Sequence, residues 1–442
     1  MTNLTSKIKS VSRKEVIKVL IQYDTSLQSL RDVLRHHFDK QSFTDEIAAA
    51  IQSLAIGIVR YQNTIDFLLS RSIPDGSIKD KEQIDKQCLR VALFEGRWHK
   101  TSIQNLESFV KTKENMEILR RAIDINLETI IKSMNQDGKN SILYSHPTFL
   151  IKTLAENLGY QKTISLMKKN NSPASSYMRV NQLISDPDAV LASLKDKDII
   201  LKQDKYFPFL YLVIDGLKTL VGTDAFKNGD VFIQDKSSVL AVTTLDPKPG
   251  EYVWDACAAP GMKTHLIWEL MKGQGRLVAS DISYQRLQGA QQRFQKYGHH
   301  QIDWVHTDAS RTSVIKAEKI LIDAPCTSTG ILQSHPSYKW RLNKKWLFSI
   351  MTIQNKILNG IISRYADKPG TEILYATCSI LPHEGESQID SMMERHKIEL
   401  LDGPKIGEKG YQNFKCSDKV RRLFPHIHDS NGFFIAHMRI CS

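Results

Sequence analysis

Two cysteines stand where strands of a nucleotide-type fold should end: Cys326 in Lys319-Ile-Leu-Ile-Asp-Ala-Pro-Cys-Thr and Cys378 in Thr371-Glu-Ile-Leu-Tyr-Ala-Thr-Cys-Ser. Each follows a run of apolar, strand-forming residues, so each thiol is expected at the carboxyl edge of a parallel sheet, where such folds hold their ligands. A thiolate is the strongest nucleophile among ordinary side chains, and beside a cofactor pocket it can add to an electron-poor carbon. The spacing alone does not say which of the two thiols attacks.

A second group of residues describes the pocket. Asp255-Ala-Cys-Ala-Ala-Pro-Gly-Met-Lys-Thr264 follows an apolar strand and leads into a helix expected to start near Thr264. Small residues let the backbone approach a ligand, Gly261 can take positive φ, and free amides at a helix start attract an anion. The loop is neither the Gly-x-Gly-x-x-Gly of dinucleotide enzymes nor a P-loop with its Lys-Ser/Thr. Asp281 follows Gly261 by twenty residues, the distance at which an acid meets ribose hydroxyls in this topology. Asp308 and Asp323 close the next two strands. An anion-gripping loop with three acids in register describes a nucleoside carrying an amino-acid tail, that is, S-adenosylmethionine.

The elements that must position these groups follow from the hydrophobic pattern. From Gln234 onward strands alternate with helices: Tyr252 to Cys257, Arg276 to Asp281, Ile302 to Asp308, Lys319 to Pro325 and Thr371 to Ser379, with a last strand in Gly432-Phe-Phe-Ile-Ala-His-Met-Arg-Ile. That alternation predicts a mostly parallel, doubly wound α/β sheet. The first 135 residues predict a helical bundle. Its clearest helix carries Ile47, Ile51, Leu54, Ile58, Tyr61, Ile65 and Leu68 on one stripe and is started by Thr44-Asp-Glu. Further helices are expected over Ile84 to Phe94 and from Ile103 to about Met134. The polar stretch Asn135-Gln-Asp-Gly-Lys-Asn marks the first boundary, giving a helical domain 1–140, a small α+β linker domain 141–231 and a catalytic domain 232–442.

Composition sets the outer limits. The chain has 442 residues, 41 % hydrophobic and 24 % charged, with net charge +12, as for an ordinary soluble protein that tolerates a polyanionic partner. The positive excess is spread along the chain without a basic tail, so any binding surface is assembled by folding. Six cysteines without a Cys-x-x-Cys pair make neither a disulfide scaffold nor a zinc site, and no metal is expected. The first thirty residues lack a long apolar run, which predicts a cytoplasmic chain without a membrane anchor, and a monomer by default.

At these residues the chain resembles the Sun/Fmu family of RNA cytosine-5 methyltransferases. The 255–264 loop is similar to that family's cofactor loop, Asp323-Ala-Pro-Cys-Thr-Ser-Thr-Gly to its first cysteine motif and Tyr375-Ala-Thr-Cys-Ser-Ile-Leu-Pro to its second. Phe232-Ile-Gln-Asp-Lys-Ser-Ser, His335-Pro with Lys339-Trp, and Gly432-Phe-Phe extend the match. Ser145-His-Pro-Thr-Phe-Leu and Met178-Arg-Val-Asn resemble the family's RNA-contacting segment, and the helical domain resembles the NusB-like, RNA-binding domain of its RsmB-type, small-subunit ribosomal RNA branch. Met262 stands where that branch more often has glycine, which would narrow the pocket, and Thr327 where serine is usual.

The resemblance implies a Rossmann-like class I methyltransferase domain acting on RNA, with ribosomal RNA first and transfer RNA as the alternative. It implies S-adenosylmethionine contacts at Cys257, Ala258, Ala259, Pro260, Gly261, Met262, Lys263, Asp281, Asp308 and Asp323. It makes Cys378 the nucleophile that adds to C6 of cytosine, Asp323 the group that orients the base, and Cys326 the aid to release, as or through a general base. A DNA-type enzyme would attack with the Pro-Cys thiol of Cys326 instead, against which the Thr377-Cys-Ser motif argues. A ribosome-assembly factor that binds RNA without turnover is the rival from another class. His335, Lys339 and Arg341 stay outside the catalytic set as base or phosphate-contact candidates, and Tyr338 and Trp340 either stack on a base or pack in a core. Cys88, Cys416 and Cys441 are read as packing residues, and Cys257 as a small loop residue.

Overall fold

The computed structural model describes all residues except 1, 27, 75, 184–185, 298–300 and 312. The chain forms two compact units, residues 1–172 with 332–342 and residues 173–331 with 343–442.

The first unit is all helical. The apolar stripe predicted as one helix is divided into Asp45–Arg60 and Gln62–Ser72. Thr44 precedes the first without a side-chain capping bond, and Asp45 and Glu46 supply the first-turn acids. The break at Tyr61 has an identifiable cause. The carbonyl of Val59 accepts from Trp340 Nε1 at 2.7 Å, that of Arg60 from Lys339 Nζ at 3.2 Å, and the amide of Asn63 donates to Ser145 Oγ at 3.1 Å. Side chains inserted into the i to i−4 ladder kink a helix in this way. The long helix expected from Ile103 is likewise three pieces, Ile103–Glu107, Lys113–Asp124 and Leu127–Ile130. Thr112 and Asn126 restart the second and third by capping the amides of Asn115 and Thr129. Asn135 is also a cap, accepting from the Gly138 amide at 2.8 Å, so the polar stretch opens the helix Gln136–Tyr144. The helices Thr148–Leu158 and Tyr160–Asn170 follow, and the unit runs on to Ser172 instead of ending near 140.

The second unit holds two sheets. Strands β1 (Ser176–Val180), β2 (Ile200–Gln203), β3 (Leu210–Asp215) and β4 (Val231–Ile233) form an antiparallel sheet in the order β2-β3-β1-β4. The larger sheet contains β5 (Tyr252–Asp255), β6 (Arg276–Asp281), β7 (Ile302–His306), β8 (Lys319–Asp323) and β9 (Glu372–Thr377), all parallel, in the order β9-β8-β5-β6-β7. Beyond β10 (Ile398–Leu400), β11 (Glu408–Lys409) and β12 (Arg421–Leu423), the final strand β13 (Phe433–Ile440) lies antiparallel on β9.

Alternate residues of the central strands serve opposite faces. Ile320 and Ile322 enter one core with Ile373 and Tyr375, while Leu321 enters the other with Leu374 and Ala376. Near-continuous apolar runs are what a sheet covered on both faces demands. β5 has β6 on one side and β8 on the other, so the strand order reverses there and a crevice opens at the carboxyl ends of β5 and β8. The predicted strands overran by two residues or so. β5 ends at Asp255, β8 at Asp323 and β9 at Thr377, which frees the cysteines into loops.

Candidate active site

The loop after β5 is a tight cradle. Ala258 donates its amide to Ser280 O at 2.8 Å and Gly261 to Ala258 O at 2.7 Å. Gly261 has φ +100, and a Cβ there would lie 2.4 Å from the Phe294 ring, so both conformation and space require glycine. The helix Met262–Leu270 starts at once, slightly earlier than predicted, and its first-turn amides lack helical carbonyl partners. Asp281, at the end of β6, accepts from the Ala259 amide at 3.0 Å and the Ser283 amide at 2.8 Å, which fixes its carboxylate against the loop. Asp308 instead caps its own turn, accepting from the Ser310 amide at 2.9 Å and hydroxyl at 2.8 Å.

Cys257, in the loop, faces Asp255, Asp281 and Asp323 together; burial first and then these acids push its thiol far up, so it stays protonated. The crevice thus presents first-turn amides, a fixed carboxylate and a protonated small side chain. These groups fit the amino-acid tail and ribose of S-adenosylmethionine.

Four of the predicted residues converge at the ends of β8 and β9. Lys263 donates to Asp323 Oδ2 at 2.6 Å, and its ammonium lies 5.4 Å from the centre of the Phe433 ring. Burial opposes the Lys263 charge, but the Asp323 carboxylate outweighs it and the pKa rises. The sulfurs of Cys326 and Cys378 are 3.0 Å apart. Their acidities move in opposite directions: the hydrogen bond with Cys378 and then burial raise the Cys326 pKa, whereas the hydrogen bond from Cys326 lowers that of Cys378 against burial, with help from Ser328 and Lys263. Of the two thiols, Cys378 is therefore the more acidic.

The sequence reading missed the groups behind the cysteines. Glu384, fully buried, accepts from both the amide and the hydroxyl of Thr327 and from the hydroxyl of Ser379. The available signal was an acid in the turn Ile380-Leu-Pro-His-Glu, six residues after the second cysteine.

The structure also decides several residues whose reading was open. Lys339 is no phosphate contact: it is fully buried in the first unit, with its ammonium on Arg60 O, Ser145 O and Asn171 Oδ1. Trp340 packs into the helical core and His335 sits against Arg31 in the same unit. In Ser145-His-Pro-Thr-Phe-Leu the side chains of Ser145, His146 and Leu150 are interior while Thr148 is exposed, and the run Met178 to Asn181 is interior and presents no RNA-facing surface. Arg179 lies against Glu269, His265 and the Phe232 ring. Among the described residues no cluster of His, Cys, Asp and Glu could hold a metal, and no helix is long and apolar enough to cross a membrane.

Three segments of the chain match known families. Residues 242–439 match the 16S rRNA methyltransferase RsmB/F family, residues 146–210 an RsmF/B-like ferredoxin-like domain and residues 10–102 the NusB family. Ribosomal RNA small subunit methyltransferase B of Photorhabdus laumondii is 28 % identical over 448 residues, covering 98 % of this chain and 99 % of that protein. The protein of that name from Yersinia enterocolitica is 27 % identical over 450 residues, covering 98 % of each. Among solved structures, PH0851 superposes with a TM-score of 0.79 at 25 % identity, covering 97 % of this chain and 98 % of that one. A methyltransferase homologue from Pyrococcus horikoshii gives 0.61 at 26 % identity, over 68 % of this chain and 97 % of that one. With a NusB-like helical bundle, a ferredoxin-like segment and a Rossmann-like catalytic sheet in this order, the chain belongs to the Sun/Fmu family of RNA methyltransferases.

Proposed function

We propose that this chain methylates C5 of a cytosine in small-subunit ribosomal RNA, with S-adenosylmethionine as donor and a transient bond between Cys378 and C6 of the base. The observation that carries this reading is the asymmetric cysteine pair, 3.0 Å between sulfurs, with Cys378 lowered and Cys326 raised in pKa. The RNA class follows the full-length relatives named as small-subunit ribosomal RNA methyltransferases.

C5 of cytosine is a poor nucleophile. Addition of the Cys378 thiolate to C6 makes the ring an enamine with electron density at C5. The Cys257 to Lys263 loop and Asp281 would hold S-adenosylmethionine, which would supply the electrophilic methyl group. Asp323, ion-paired to Lys263 but with its side chain 29 % exposed, has an open face that can accept from the exocyclic amine and, once the adduct is protonated at N3, from N3–H. After transfer a general base, solvent acting alone or through Cys326, takes the C5 proton, and the C5–H electron pair re-forms the C5–C6 double bond and expels the Cys378 sulfur as its thiolate. The Cys326 thiol, in contact with the departing sulfur, stabilises it as the thiolate by returning the hydrogen bond. The base must leave its stack to reach the cysteines, so the substrate is a single-stranded or looped segment.

The test is methyl transfer from labelled S-adenosylmethionine to total RNA of cells lacking this protein, with bisulfite sequencing to locate the product. Cys378→Ala is expected to form no covalent RNA complex and Cys326→Ala to accumulate one. Reversal of these two results would make Cys326 the nucleophile, and absence of methyl incorporation by the intact chain would favour an RNA-binding assembly factor.

A further inference from the structure

We propose that Glu384 is the positioning residue of the cysteine pair, a buried carboxylate that clamps the loop after β8 to the loop after β9 and thereby fixes which thiol is the nucleophile. The proposal rests on the reading of Cys378 as nucleophile given above.

The clamp is built from donors adjacent in sequence to the two cysteines. Glu384 Oε1 accepts from the Thr327 amide at 2.7 Å, and Oε2 from the Thr327 hydroxyl at 2.5 Å and from the Ser379 hydroxyl. Thr327 follows Cys326 and Ser379 follows Cys378, so one carboxylate holds both loops at the residue next to the sulfur. Gln354 Nε2 bridges Glu384 Oε1 at 3.1 Å and the carbonyl of Pro325 at 2.8 Å, which anchors the other flank of Cys326. Thr329 Oγ1 meets Ser379 Oγ at 3.0 Å, and the amides of Ile380 and Leu381 donate to these two hydroxyl oxygens. With each oxygen already accepting an amide, the hydroxyl protons run in one direction, from Thr329 to Ser379 to Glu384, and end on an acceptor-only group.

Glu384, Thr327 and Ser379 are fully buried. Leaving a charged group there is costly unless it is saturated with donors, and four donors meet this one. Its charge also acts on the pair: after the hydrogen bond with Cys378, burial and the charge of Cys378, Glu384 is among the groups that raise the Cys326 pKa. Geometry and charge together make the two cysteines unequal. Thr327 in place of serine keeps the hydroxyl the clamp needs.

The test uses the full chain with Glu384→Gln, Thr327→Val and Thr327→Ser. Iodoacetamide labelling of Cys378 relative to Cys326, read by peptide mass spectrometry across pH without RNA, reports the polarity of the pair directly. Single-turnover methylation of ribosomal RNA, the KM for S-adenosylmethionine and thermal unfolding are measured beside it. Glu384→Gln and Thr327→Val are expected to lower the Cys378-to-Cys326 labelling ratio and to slow methyl transfer by about 10- to 100-fold, as misplacing a reacting group by an ångström does. Thr327→Ser is expected to keep both, and KM to stay unchanged throughout. An unaltered labelling ratio in folded Glu384→Gln or Thr327→Val, or a rate loss matched entirely by unfolded protein, overturns the clamp. If the ratio shifts while the wild type methylates no RNA, the clamp stands and the RNA reading falls.

Discussion

The amide of Gly330 donates to the carbonyl of Cys378 at 2.8 Å, so the loop carrying the first cysteine is stitched to the backbone of the second. The carbonyl of Gly330 in turn accepts from the Gly432 amide at 2.8 Å, bringing the start of β13 into the same junction. A Cβ at Gly330 would lie 1.9 Å from Gly432 O and 2.8 Å from Cys378 O, and neither backbone can yield without moving a strand end. Gly330→Ala is therefore expected to cost about 1–3 kcal/mol of stability, as overpacking does, and to separate the two sulfurs. Slower single-turnover methyl transfer at temperatures where the variant remains folded is the result to look for; wild-type rates would show that the junction tolerates displacement.

Lys339 makes a second prediction. Its ammonium is buried against Arg60 O, Ser145 O and Asn171 Oδ1, neutral acceptors, and burial first and then Arg60 pull its pKa well down. Lys339→Met fills similar volume but leaves these acceptors without their donor, at about 1–3 kcal/mol each for a buried unsatisfied group. The loss is expected locally, at the kink between Arg60 and Gln62. Amides of the helix Gln62–Ser72 should exchange with solvent faster in the variant, and unchanged exchange there would exclude this role for the lysine.

The fold was legible where one element's pattern decides its own state. The runs ending at Asp323 and Thr377 are strands because apolar residues on both faces admit little else, and Cys326 and Cys378 followed from them. What was hidden depends on residues far apart in the chain. Ile58, Tyr61 and Ile65 continue one apolar stripe without interruption, yet the helix breaks because Lys339 and Trp340, about 280 residues later, take its carbonyls. Asp281 and Asp308 looked alike as strand-end acids, but one is held against the cofactor loop by the Ala259 amide and the other is spent on its own turn. Of the partners of Glu384 only Ser379 lies near it in the chain, whereas Thr327, 57 residues before it, and Gln354 are joined to it by folding alone.

Arg179 and Glu269 give a prediction about the support of the cofactor helix. Arg179 Nη1 donates to Glu269 Oε1, both side chains are nearly inaccessible, and the guanidinium also donates from Nε to Gln234 Oε1 at 2.5 Å. Glu269 sits on the helix Met262–Leu270, whose first turn carries Lys263. Removing Arg179 leaves Glu269 with only His265 Nδ1, at 2.6 Å, beside its charge, so Arg179→Met is expected to destabilise the second unit, by less than the about 3–5 kcal/mol of a wholly unpaired buried charge. Arg179→Met with Glu269→Met should recover part of that loss, and a double variant no more stable than the single one would mean that the arginine acts by packing alone.

Asp255 provides a pH dependence whose sign can be worked out. The side chain is fully buried at the end of β5, and burial raises its pKa from 3.8 to about 7 despite the Thr264 hydroxyl, which donates to it at 2.7 Å. The folded state therefore binds a proton that the unfolded state releases near pH 3.8. The stability this contributes is fully present below pH 3.8 and is lost as the pH rises through about 7. Glu384, also raised by burial, adds a change of the same sign. Asp255→Asn keeps the acceptor for Thr264 and cannot ionise, so its thermal midpoint should fall less between pH 5 and 8 than that of the wild type. Parallel curves for the two proteins would show that Asp255 is ionised in the folded state throughout this range.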